Sequence, residues 1–102
     1  RRLKTAEKLL KENKKEAFYE EIERAALTYL SDRLSIPTSQ LNKENIAQIL
    51  TEKGVAQEVV AEVRRVLSTA EYARYAPTSD HAMQDLYSDT TMIINQLESA
   101  RL

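Results

Sequence analysis

The sequence predicts an all-α fold, an antiparallel bundle-like arrangement of four to five helices, and three observations carry that expectation. One glycine and two prolines in 102 residues are too few for a sheet protein, which needs a turn every eight to twelve residues. Apolar residues recur at steps of three and four through nearly the whole chain. The breaks between these stripes are short, so consecutive helices should fold back on one another.

Residues 2–12 form the first helical stretch, with Leu3, Ala6, Leu9 and Leu10 on one side and charges elsewhere. Asn13, followed three residues later by Glu16, has the pattern of a capping box for the next helix. Without that break, the first two helices would run together through a weak joint at Asn13. The second helix extends to about Leu34 on a stripe of Phe18, Ile22, Ala25, Ala26, Tyr29, Leu30 and Leu34. Pro37 disfavours helical backbone at Ile36 and ends it; Ile36 and Leu41 are expected to plug into the core from the loop. Asn42 is the N-cap of a short helix over 43–53 that faces Ile46, Ile49 and Leu50 inward. Gly54 suits the left-handed position after that helix, with Val55 as its apolar partner. The third long helix begins near Ala56 and carries Val59, Val60, Val63, Val66, Leu67, Ala70 and Ala73, ending at Ala76-Pro77. Thr78, Ser79 or Asp80 caps the last helix, which runs to about Ser99 with Met83, Leu86, Tyr87, Thr90, Ile93, Ile94 and Leu97 inward. The length is three times 34, but the helix ends do not repeat at that spacing and Pro37 and Pro77 lie 40 apart, so a tetratricopeptide-like adaptor is only an alternative.

At 42% hydrophobic and 30% charged residues the chain is globular, and its length suits one domain. With no cysteine there is neither a disulfide nor a thiolate. No apolar run reaches the ~18 residues that span a bilayer. The chain starts at Arg1-Arg2 without a methionine, as a fragment of something longer would. Its net charge of −1 hides an asymmetry. Residues 1–15 carry seven Lys/Arg against Glu7 and Glu12, while residues 16–102 carry eight against fourteen Asp/Glu. The expected organisation is a basic juxtamembrane helical segment over 1–15 and a single helical domain over 16–102.

Catalytic equipment is not expected. One glycine cannot build a phosphate loop. His81 has Ser79 and Asp80 beside it, but that pattern fits a helix cap better than a triad. His81, Asp85 and Asp89 share a helix face and offer the alternative of a small metal- or ligand-binding regulatory domain, although zinc usually wants a further Cys or His. Acids in the first turns of a helix are otherwise explained by its dipole. Adjacent pairs such as Glu20-Glu21 point apart and serve as solvating charges. The basic residues gather in the first fifteen positions and only Arg64-Arg65 pair elsewhere, so nucleic acid is not an expected partner.

Five tyrosines stand against one Phe and no Trp. Tyr29 and Tyr87 fall on apolar stripes, as core residues with a wet hydroxyl. Tyr72 and Tyr75 are three apart at the end of the third long helix. The first expectation is that one packs on the loop after Pro37 while the other covers the helix end. The alternative is that Tyr72, Arg74 and Tyr75 are interface residues, the types enriched at binding hot spots.

The run Ala6-Glu-Lys-Leu-Leu-Lys-Glu-Asn13, then Phe18-Tyr-Glu-Glu-Ile22 and Tyr29-Leu-Ser-Asp-Arg-Leu-Ser-Ile-Pro37, resembles the C-terminal cytoplasmic region of BatD, from the bacterial oxygen-tolerance (aerotolerance) Bat proteins. Leu41-Asn-Lys-Glu-Asn-Ile46, Gly54-Val55, Glu71-Tyr-Ala-Arg-Tyr-Ala-Pro77 and Met83-Gln-Asp-Leu-Tyr87 fit the same pattern. Ala26-Leu-Thr28 departs from it, where a bulkier apolar residue and a glycine are expected. The resemblance implies a periplasmic β-rich portion, one transmembrane helix, and this tail at the cytoplasmic face of the inner membrane. The partners it implies are other Bat-system proteins, of the von Willebrand factor A type, and a MoxR-type ATPase. It transfers no catalytic residue and no cofactor. Lys and Arg beside a membrane span favour the cytoplasmic side and attract anionic lipid, which agrees with the basic N-terminal segment. The candidate interaction surface is therefore Tyr72, Arg74 and Tyr75 together with Arg1, Arg2, Lys4, Lys8 and Lys11. The function expected is a non-catalytic protein-interaction domain.

Overall fold

In the computed structural model, residues 3–73, 75, 80–100 and 102 are described, Asp80 by its backbone alone. They form α1 (Lys4–Lys11), α2 (Lys15–Leu34), a one-turn 3-10 helix (Thr38–Gln40), α3 (Lys43–Glu52), α4 (Gln57–Ala73) and α5 (Asp80–Glu98). Among the described residues there is no strand. The all-α bundle-like arrangement expected from the periodicity is what is found.

Local chemistry sets the helix ends. Asn42 accepts a hydrogen bond from the Asn45 N–H at 2.9 Å, and the Asn45 side chain accepts from the Asn42 N–H at 2.8 Å, a reciprocal cap for α3. Gly54 sits at φ 85°. The Gly54 N–H reaches the Thr51 carbonyl, the Val55 N–H reaches that of Leu50, and Val55 is buried. This is the Schellman closure that the glycine predicts. A Cβ at Gly54 would touch nothing within 4 Å, so Gly54→Ala should cost only the backbone strain, about 1 kcal/mol in urea denaturation.

Asn13 departs from expectation. It stands at φ 56°, its N–H bonds the Leu10 carbonyl, and the Lys14 N–H bonds that of Leu9. It therefore closes α1 as a left-handed residue instead of opening α2, whose N-cap is Lys14 with no side-chain cap. Asn can do either, because its short amide tolerates the left-handed region as well as it caps. The same residue separates the two helices, so they are not one rod. Ser35, also left-handed at φ 58°, ends α2 before Pro37.

α2, α4 and α5 pack against one another in a mutual trio. α1 lies over α2 and α5, and α3 lies against α4. The consecutive pairs α1 and α2, α3 and α4, and α4 and α5 each touch. One core runs through the described residues, from Leu3 just before α1 and Ala6 within it to Leu97 of α5. The expected stripes of α3, α4 and α5 face it, with Ile49, Val59, Tyr87 and Ile94 only half-buried. Leu41 is buried from the loop and Ile36 packs partly beside it. Ala26 is buried as well, so the small residue there sits within the packed interior. Tyr19, outside the expected stripe, is also buried; it meets Phe18 edge-on at 5.3 Å between ring centres. α2 is covered on more than one side, and two adjacent residues at its start can both be interior.

Among the described residues, ion pairs tie helices together across the surface. Arg33 of α2 holds Glu98 of α5 at 2.9 Å and also donates to the Ala100 carbonyl. Lys43 of α3 holds Glu71 of α4 at 3.1 Å. Arg65 of α4 holds both Glu62, on its own helix, and Asp89 of α5 at 2.6 Å. The Glu62 carboxyl is kept below its ordinary range by the hydrogen bond from Arg65.

Candidate functional site

The C-terminal end of α4 presents aromatic surface. Tyr72 is 60% exposed and Tyr75 is 79% exposed. Both rings are more exposed than the first expectation for this pair, with one on the loop after Pro37 and the other over the helix end, called for. The Lys43 ammonium sits 4.7 Å from the centre of the Tyr72 ring and donates to Glu71. That hydrogen bond is the main reason the Lys43 pKa is raised above its ordinary value. One cation thus bridges α3, a carboxylate and an aromatic face. The Tyr75 N–H bonds the Tyr72 carbonyl at 3.1 Å. Arg74, Arg1 and Arg2 lie outside the described residues.

Beside this end a groove of about 200 Å³ opens between α2, α3 and α4. Leu27, Leu41 and Leu67 supply apolar lining; Glu23, Glu44, Glu71 and Lys43 supply charge. Sequence reading did not find this groove. Its residues span positions 23 to 71, and only the packing of α4 against both α2 and α3 brings them together.

Lys4, Lys8 and Lys11 share one exposed face of α1, at steps of four and three. Lys11 lies 3.7 Å from Glu7, an exposed pair of little energetic consequence. Lys11 also lines a shallow groove with Leu10, Gln84 and Tyr87 where α1 meets α5. Among the described residues α1 touches neither α3 nor α4. The basic face and the tyrosine end are therefore two surfaces, and the structure does not join them.

His81 is on the outside of α5, with its side chain 85% exposed and Nε2 3.3 Å from Asp85. Asp89, the third member of the suggested metal triad, is engaged by Arg65. Among the described residues no group of three His, Cys, Asp or Glu side chains is placed to hold a metal ion. The expected caps Thr78 and Ser79 lie outside the described residues, as does the side chain of Asp80.

The Tyr29 hydroxyl sits where α2 meets the end of α5. It donates to Glu98 Oε2 at 2.7 Å, and Arg33 donates to the same Glu98 oxygen and to the Tyr29 hydroxyl at 3.2 Å. The hydroxyl is thus held by protein groups, where a wet one was expected. Burial, then the hydrogen bond to Glu98, pushes its pKa up to about 12 from 10.0. The neutral form is the one the fold favours, so this contribution is whole below pH 10 and lost as pH rises through about 12. The wild-type chain should lose about 2 kcal/mol more than Tyr29→Phe across that interval, read as the difference in urea midpoints.

No family model, no curated protein and no solved structure matches the chain. Among the described residues no helix is long and apolar enough to cross a membrane.

Proposed function

We propose that this chain is a non-catalytic protein-interaction domain, the cytoplasmic tail of a BatD-like, membrane-anchored oxygen-tolerance protein. The observation that carries the docking half of this reading is the exposure of Tyr72 and Tyr75 beside a groove lined by leucines and charged side chains, where the other large apolar side chains among the described residues are mostly buried. Tyrosine offers a large, stiff contact area with few rotamers to immobilise. The anchoring half rests on the family resemblance and on the basic face of Lys4, Lys8 and Lys11, which would lie against the anionic cytoplasmic surface of the inner membrane. The partners in this reading are other Bat-system proteins, of the von Willebrand factor A type, or the MoxR-type ATPase, joined by plain association.

Deleting residues 16–102 from the full-length protein should abolish co-purification of its partner, and retention of the partner refutes the docking half. The anchoring half is tested with vesicles. The chain should sediment with phosphatidylserine vesicles at low salt, and Lys4→Ala/Lys8→Ala/Lys11→Ala should weaken that by roughly 100-fold at about 1 kcal/mol per lysine. Equal binding to neutral phosphatidylcholine vesicles counts against it.

A further inference from the structure

We propose that the groove between α2, α3 and α4 receives one arginine side chain of the partner protein. The inference rests on the docking reading above and adds the chemistry of the anchor. The groove is small, about 200 Å³, below the range of typical small-molecule sites and suited to a single long side chain. Its apolar part is made by Leu41 and Leu67, both buried, and by the half-buried Leu27. Three carboxylates line it, and only one is neutralised: Glu71 by Lys43 at 3.1 Å. Among the described residues Glu23 and Glu44 form no ion pair. An occupant must therefore be apolar along its length and positive at its end.

Arginine meets both demands. Its methylene stem can cover leucines while the guanidinium stays at the wet rim. Its planar fork matches carboxylates in two-bond geometry, which a lysine ammonium cannot do. Lys43 over the Tyr72 ring already shows a cation settled against an aromatic face at this edge, and a guanidinium stacks on such faces more readily still. The acidic balance of residues 16–102 favours approach of a positive segment and disfavours nucleic acid.

The test is an amide chemical-shift titration of the isotopically labelled chain with acetyl-arginine-amide, and with acetyl-citrulline-amide as the neutral isostere. The arginine probe should give saturable shifts at Leu27, residues 41–44 and Leu67, in the millimolar range, while citrulline gives none. Glu23→Gln/Glu44→Gln should weaken the arginine response roughly tenfold, since each half-exposed charge pair is worth a few-fold. The single variants serve if the double variant does not fold. Shifts spread over the whole acidic surface, an equal response to citrulline, or an unchanged response in the variants overturns the proposal. Failure is separable from that of the docking reading. A partner that co-purifies while the arginine probe is ignored removes the pocket alone; a probe that binds where no partner is captured removes the docking reading and leaves the pocket.

Discussion

Phe18→Ala should destabilise the chain by about 3–5 kcal/mol, the range for removing a buried aromatic ring and leaving its cavity. Phe18 is fully buried, meets the Tyr19 ring edge-on, and stands in the first turn of α2. That turn has no side-chain N-cap, so α2 is held there by packing. A domain of this size is stable by only about 5–15 kcal/mol, so the loss is a large share of the total. The urea midpoint should fall with little change in slope. A loss below about 1 kcal/mol would mean that the start of α2 is loosely packed, and the assignment of Phe18 and Tyr19 to the core would be wrong.

Tyr72→Ala/Tyr75→Ala should do the reverse: cut partner affinity by roughly 30-fold or more and leave stability within about 0.5 kcal/mol of wild type. The first figure follows from a loss of about 2 kcal/mol at an aromatic hot spot. The second follows from exposure, since both rings are mostly exposed and the Lys43 contact is at the surface. Affinity can be read by titration calorimetry with the co-purified partner, stability by urea denaturation. The pair of results separates interior from surface. Phe18→Ala lowers stability and weakens binding only through unfolding; the tyrosine variant weakens binding at full stability.

The helices were legible because their punctuation is local. Asn42 and Gly54 each act within one turn of backbone, and both do what their residue types allow. Asn13 failed the same logic because one amide side chain suits two opposite jobs, and here it takes the left-handed one that closes α1. A single apolar stripe misses Tyr19, since it assumes one covered face and α2 has more. The cross-helix ties were out of reach for another reason. Arg33 and Glu98 are 65 positions apart, Lys43 and Glu71 are 28, and Arg65 and Asp89 are 24. No periodicity within a helix encodes such partners. The same distance argument hides the groove, since Leu27, Leu41 and Leu67 lie far apart in the chain until α2 and α3 meet α4. Of the candidate surface, residue type drew attention to Tyr72 and Tyr75, but their exposure had to come from the fold.

Hydrogen–deuterium exchange on the chain bound to its co-purified partner is the most direct check that this domain acts through the α3–α4 end. Protection should appear on binding at residues 41–44 and 67–75, with the interior of α5 unchanged. A footprint confined to the face of His81, Asp85 and Asp89, with the tyrosine end exchanging as freely as in the unbound chain, would contradict it.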